Sequence, residues 1–142
     1  MTTALNAYLS FDGNCAEAMR FYAEVLGAEI RALMTYGQAP GMAAHTAPAD
    51  LERVMHAYLV HPDFALMAGD ATSGMPYQKV QGVALALSYA SAADANRVFD
   101  ALSAGGEVTM PLSESFWAER FGAVTDRFGI PWLVNGGMKP LG

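Results

Sequence analysis

The sequence predicts an α+β fold of two tandem βαβββ modules, and three features of the chain carry that prediction. The first is an internal repeat: "SFDGNCAEAMRFYAEVLGAEI", Ser10 to Ile30, returns in worn form as "SYASAADANRVFDALSAGGEV", Ser88 to Val108. The second is periodicity, because each copy carries a helical apolar stripe with one strand-like segment before it and three after it. The third is composition: 53% hydrophobic and 15% charged residues over 142 positions. A chain of that size withdraws about 70% of its unfolded surface from water, which is enough for a real core.

The first module opens with the strand "ALNAYLSF". In the helix that follows, Ala18, Phe21, Tyr22 and Val25 recur at i, i+3, i+4 and i+7. "NCAE", Asn14 to Glu17, reads as a capping box in front of it, and Gly27 as its stop. Strands "EIRALMTY", "RVMHAYLV" and "FALMAG" come next. Between the first two lies "GQAPGMAAHTAPADLE", Gly37 to Glu52, a structureless insertion read as a lid or as a loop reaching a dimer partner. "DATSGMPYQK" joins the modules.

In the second module "GVALALSY" sets Ser88 against Ser10 and Tyr89 against Phe11. Ala95, Val98, Phe99 and Leu102 form the helical stripe, with "SAAD", Ser91 to Asp94, as its capping box and Gly105 as its end. "EVTMPL", "RFGAVTD" and "IPWLVNG" are the closing strands, with Pro131 where the start of a strand tolerates it. "DRFG", Asp126 to Gly129, is a tight turn in which Gly129 is free to take positive φ. The modules run from about 4 to 70 and from about 82 to 136 within one domain, 1–142. Each helix covers one sheet face, so the remaining faces are expected to curl into an open, curved, β-barrel-like sheet with helices outside, enclosing a cleft.

A formal charge of −6, with eight Lys and Arg scattered along the chain, supplies no basic patch for phosphates, so nucleic acid is not an expected partner. Apolar runs such as "VALALSYA" fall far short of the roughly 20 residues of a membrane span. "MTTALNAYLS" lacks the basic start and apolar stretch of a signal peptide, so the expectation is a soluble cytoplasmic protein away from membranes. Cys15, the one cysteine, permits no intrachain disulfide and no zinc-binding cluster. It reads as a small, partly buried residue at a helix start.

"FDGNCAEAMRFYAEVLG", "VMHAYL", "FALMAGD" and "SESFWAERFGAVTDRFGIPWLVN" resemble the PhnB-like branch of the vicinal oxygen chelate superfamily, which includes glyoxalase I, bleomycin-resistance proteins and extradiol dioxygenases. The resemblance covers nearly the whole chain and implies the glyoxalase fold and a homodimer. It also implies, for the enzymes, one divalent metal between the sheets, with ligands on the first and last strands of each module. Those positions fall here on Asn6, Ala84, Met67 and Leu133, and the internal repeat pairs them in the same way. None is His, Asp or Glu, and a slip of one residue reaches only Leu5, Ala7, Leu66, Ala68, Val83, Leu85, Trp132 and Val134. The expectation is therefore a lost metal site and no cofactor. Members of the branch are sometimes labelled demethylubiquinone methyltransferase-like. A nucleotide-type cofactor in a doubly wound fold needs a glycine-rich strand-to-helix turn, and "SFDGNCAEAM" offers one glycine.

Strand alternation places Tyr8 and Ser10 on the side of Asn6, and puts His56 together with Tyr58 on one face of "RVMHAYLV". His56, the one imidazole inside a strand, is either a general base or a half-buried side chain satisfied by a neighbour. His45 and His61 are read as solvent-exposed loop residues. In "SESFWAERFGAVTD", Trp117 and Phe116 either wall a pocket or seal the barrel end. Arg120 either grips a carboxylate or phosphate or pairs with Glu114, Glu119 or Asp126. Asp12 and Asp70 close strands as polar lining or as turn formers. Of the nine Met, Met55, Met67 and Met110 are candidates for a forgiving apolar pocket.

The ligand-binding set read from the sequence is Asn6, Tyr8, Tyr58, Met67, Trp117, Arg120 and Asp126, with His56 as the catalytic candidate. The first functional reading is a binder of a small, partly apolar molecule in the cleft, without metal. The second is an enzyme of lyase, isomerase or dioxygenase type using His56 and a nearby carboxylate, metal-free or with a displaced metal. The third is a purely structural or regulatory dimer with a filled cleft.

Overall fold

Two four-stranded sheets carry the fold, one in each of the units into which the chain divides between Gln78 and Lys79. The computed structural model describes residues 2–140. In the first unit the elements are β1 (Ala7–Phe11), α1 (Cys15–Leu26), β2 (Glu29–Thr35), β3 (Val54–Val60) and β4 (Ala65–Asp70). In the second they are β5 (Leu85–Tyr89), α2 (Ala92–Ser103), β6 (Glu107–Ser113), β7 (Ala118–Thr125) and β8 (Pro131–Met138). Strand order is β1-β4-β3-β2 and β5-β8-β7-β6, so the expected βαβββ unit occurs twice. β1 runs parallel to β4, and β5 to β8, while every other pairing is antiparallel. Both sheets are open and neither closes into a barrel. Among the described residues no helix is long and apolar enough to cross a membrane.

In the first unit the core lies between α1 and one sheet face. Leu9 and Phe11 of β1, Ala57 and Leu59 of β3, and Leu66 and Ala68 of β4 are buried, while Tyr8 and Ser10 alternate to the open side. On α1 the buried stripe is Cys15, Ala18, Met19, Tyr22 and Leu26, with Phe21 and Val25 half-buried at its flank. The stripe is turned by one position from the one expected. Two adjacent aromatic residues give nearly equal periodicity for either phase, and packing of Cys15, Met19 and Leu26 decides it. Gly27 ends the helix at φ +67°, its N–H bonding the Ala23 carbonyl.

The start of α1 departs from the expected capping box. Asn14 makes no side-chain cap, and its Oδ1 accepts the Asp12 N–H instead, at 3.3 Å. The cap comes from the end of β4. Asp70 Oδ1 accepts the Gly13 and Cys15 N–H groups at 2.9 and 3.0 Å, and Oδ2 accepts the Val54 N–H at 2.8 Å. One buried carboxylate thus ties the β1–α1 turn to β3 and β4.

The second unit solves the same junction differently. Ser91 Oγ accepts the Asp94 N–H at 3.1 Å, as a capping box requires, and Ala95, Val98, Phe99 and Leu102 are all buried. Gly136 pairs with Tyr89 as Asp70 pairs with Phe11. A Cβ on Gly136 would collide with the Ala95 side chain and lie 2.8 Å from the Ser91 carbonyl oxygen. A carboxylate has no room there, so a local cap takes over.

The insertion between β2 and β3 is anchored, not structureless. It contains 3₁₀ turns at Ala43–His45 and Pro48–Asp50, and Ala39 is buried within it. Asp50 Oδ2 accepts both the Ser73 hydroxyl and, at 3.2 Å, the Ser73 N–H. Arg53 reaches Asp12 Oδ1 at 3.0 Å, the Ala71 carbonyl at 2.8 Å and Asp50 at 3.8 Å. The Ser73 hydroxyl bond, then the Ser73 N–H bond and the Arg53 charge, hold the Asp50 carboxyl below the usual carboxylate range against an opposing effect of burial.

Two outcomes are expected. Asp70→Ala strands three backbone donors and should cost about 3 kcal/mol in urea unfolding, whereas Gly136→Asp should destabilise the protein by about 2 kcal/mol, since the added side chain has no space. For Asp50, a carboxyl with a folded-state pKa below its unfolded value contributes stability above the ordinary Asp pKa of about 4 and loses it as pH falls through the lowered value. Pepsin cleavage within 37–52 should therefore begin only below the ordinary Asp range in the native protein, and at a higher pH in Ser73→Ala.

Candidate functional site

Across the open face of the first sheet, Tyr8 of β1 stands opposite Met67 of β4, which stands opposite Tyr58 of β3. Ser10 lies opposite Gly69 on the same face, and Met34 of β2 opposite His56. The His56 and Tyr58 rings stack with centroids 6.4 Å apart and 17° between planes. Four of the candidates, Tyr8, His56, Tyr58 and Met67, are thereby brought onto one surface by strand alternation alone. Asn6 immediately precedes β1 and is half-buried.

The Tyr8 hydroxyl donates to the Met55 carbonyl at 3.3 Å, passing over Gly69. A Cβ at residue 69 would lie 2.5 Å from that hydroxyl oxygen, so the close approach requires glycine. Burial, then the charges of Tyr36, Cys15 and Asp70, raise the Tyr8 pKa and keep the phenol a donor. At the C-terminal ends of β1 and β4 lies a depression of about 500 Å³, lined by Tyr8, Ser10, Tyr36, Gly69, Thr72 and Tyr77 among others. A neighbouring hollow of about 490 Å³ shares Tyr36 and Thr72 and extends along Met42, His45 and Asp50 of the anchored insertion.

In the second unit Trp117 donates its indole N–H to Asn135 Oδ1 at 3.0 Å. Phe116 and Phe121 pack edge-on against it with centroids 4.8 and 5.0 Å away. Asn135 pairs with Ser88 and Phe121, so this aromatic group belongs to the open face of the second sheet. Arg120 alternates away from it, opposite Gly136, and its Nη1 donates to the Glu119 carbonyl at 3.0 Å. Asp126 is buried in its own turn. Its Oδ1 accepts the Phe128 and Ile130 N–H groups at 2.9 and 3.1 Å, and Oδ2 accepts the Trp132 indole at 2.8 Å. Glu114 pairs with Lys139, whose hydrogen bond and charge hold its carboxyl below the usual range.

Other candidates have structural tasks. Asp12 pairs with Arg53, and Asp70 caps α1. Cys15 is fully buried, and burial followed by the Asp70 charge pushes its thiol up to about 12, which leaves it protonated and unreactive. His45 is exposed, as expected. His61, expected in solvent, is half-buried: its ring stacks on Phe64 at 4.4 Å and Nδ1 accepts the Asp63 N–H at 3.0 Å. Tyr36, Tyr77 and Asn135 escaped the sequence reading. Only Asn135 left a signal, a lone amide in the apolar strand "PWLVNGGM".

At the positions that the resemblance marks for metal ligands stand an amide and a thioether in the first unit, Asn6 and Met67, and two hydrocarbons in the second, Ala84 and Leu133. Neither pair fits a divalent ion. Among the described residues no group of three or more His, Cys, Asp or Glu could hold one elsewhere.

Residues 4–134 match the model of the Glyoxalase/Bleomycin resistance protein/Dioxygenase superfamily. Protein YjdN of Escherichia coli strain K12 is 36% identical over 140 residues, covering 92% of this chain and 93% of that protein. The crystal structure of protein PA1353 from Pseudomonas aeruginosa aligns with a TM-score of 0.89 at 41% identity, over 95% of this chain and 98% of that one. The PhnB protein of Bacillus cereus shares the fold, with a TM-score of 0.77 at 21% identity over 94% and 99% of the two chains. The duplicated βαβββ architecture and the match along nearly its whole length make this chain a member of the glyoxalase/bleomycin resistance/dioxygenase superfamily.

Proposed function

We propose that the protein binds a small, partly apolar molecule on the open face of its first sheet, without the divalent metal used by enzymes of the superfamily. The observation that carries this reading is the row Tyr8, Met67 and Tyr58 across three adjacent strands, next to a depression of about 500 Å³. A site of that volume suits a small organic ligand. Two phenol rings and a thioether supply apolar contact area, and the thioether adapts to ligand shape. Asn6 and His56 add polar contacts at the edges of the row. Trp117, held by Asn135, extends the same kind of surface on the second sheet, while Arg120 and Asp126 serve β7 and its turn. Homodimerisation, implied by the family, belongs to the same proposal.

N-phenyl-1-naphthylamine, a neutral fluorescent apolar probe, should bind the purified protein, and Tyr58→Ala or Met67→Ala should weaken it by about tenfold, or ~1.4 kcal/mol. Elemental analysis of the same preparation should find no stoichiometric metal, and Zn, Ni, Mn and Fe salts should leave the melting temperature unchanged. One equivalent of bound metal that disappears in His56→Ala would replace this reading with a catalytic one. Sedimentation equilibrium should give twice the chain mass of 15.1 kDa; a monomer at micromolar concentration would remove the dimer from the proposal.

A further inference from the structure

Among the described residues no lysine, arginine or histidine lines the depression beside Tyr8. Its walls are the tyrosines at 8, 36 and 77 with Met75 and Pro76, and its other polar residues are Ser10, Thr72, Gln78 and Asp70. The Asp70 carboxylate oxygens are already taken by three backbone N–H groups. The Tyr8 hydroxyl is committed to the Met55 carbonyl. Arg53 is the neighbouring guanidinium, and it is paired with Asp12 and Asp50. Two carboxylates thus offset this one guanidinium, in a chain of net charge −6.

An anion entering this space would lose its hydration and find no cationic partner. A cation would meet aromatic rings in a chain of net negative charge, both of which favour it. We propose that the depression is a binding site for an organic cation, a quaternary ammonium or protonated amine on an apolar body, with the charged group set among Tyr8, Tyr36 and Tyr77. This assignment rests on the reading of the first sheet's open face as a ligand site and gives that site its chemistry. It places the charge-selecting contacts on Tyr36 and Tyr77, away from the Tyr58 and Met67 end of the row.

The test is an NMR titration of isotope-labelled protein with choline, with its uncharged isostere 3,3-dimethylbutan-1-ol, and with 3,3-dimethylbutanoate. Choline should bind about tenfold more tightly than the alcohol, and the carboxylate more weakly than either, with shifts centred on the amides of Ser10, Gly69, Ala71 and Thr72. Tyr36→Leu and Tyr77→Leu should bring the choline-to-alcohol ratio close to one without changing the melting temperature, and Tyr36→Phe and Tyr77→Phe, which keep the ring, should preserve it. Equal binding of choline and the alcohol, tighter binding of the carboxylate, shifts elsewhere on the protein, or no binding of choline would each overturn the assignment. If choline fails while the neutral probe still responds to Tyr58→Ala and Met67→Ala, the cation assignment falls alone; if the neutral probe fails too, the binding proposal falls with it.

Discussion

The carboxylate of Asp70 is the junction on which the first module depends. A buried charge is expensive unless its lone pairs are occupied, and here three backbone N–H groups from two separate segments occupy them. The bonds to Gly13 and Cys15 orient the turn that launches α1, and the bond to Val54 sets the start of β3. Because Asp70 is the last residue of β4, its neighbour Gly69 is held beneath the Tyr8 ring and the chain leaves at Ala71 along the rim of the depression. Burial first, and this carboxylate second, raise the Cys15 pKa, and the same carboxylate is the smallest of the causes that raise Tyr8.

The two modules show that a duplicated fold tolerates different answers to one local problem. Where the first uses a distant carboxylate, the second brings Gly136 against Ala92 and Ala95 and caps its helix with Ser91. The open faces diverge in parallel. By strand register, Tyr8, Met67, Tyr58 and His56 correspond to Ala86, Leu133, Ala123 and Phe121. The first face is aromatic with hydrogen-bonding groups, while the second is mostly aliphatic apart from Ser88 and the Trp117, Phe121 and Asn135 group. Most helix-side positions stay apolar in both, since they answer to packing in each module.

Much of this architecture is legible in the sequence because it is local. The repeat, the eight strands and the two helices follow from periods of 2 and 3.6, and alternation alone places Tyr8, His56 and Tyr58 on their surface. Contacts distant along the chain are not legible in that way. "NCAE" has the form of a capping box, yet the cap arrives from Asp70, 55 residues beyond Cys15. "DRFG" is recognisable as a turn, but nothing in the string says that Trp132 will bind Asp126 and withdraw it from any ligand. Tyr36 and Tyr77 lie 41 positions apart, in stretches that read as a strand end and a linker, and only the folded chain brings them to one depression.

The proposed binding reading implies a kind of recognition different from metal coordination. Metal coordination selects ligands by donor atoms and geometry and polarises what it holds, and it demands imidazole or carboxylate at defined positions. Asn6, Met67, Ala84 and Leu133 supply neither. Phenol rings, thioether and hydroxyls select instead by shape, apolar area and the charge that a π-face prefers, which are properties of a whole molecule and not of one donor atom. A face of that kind can hold a ligand without activating it. On that reading, selectivity in the first module rests on the few groups that set the charge preference of the face, the rings of Tyr8, Tyr36 and Tyr77.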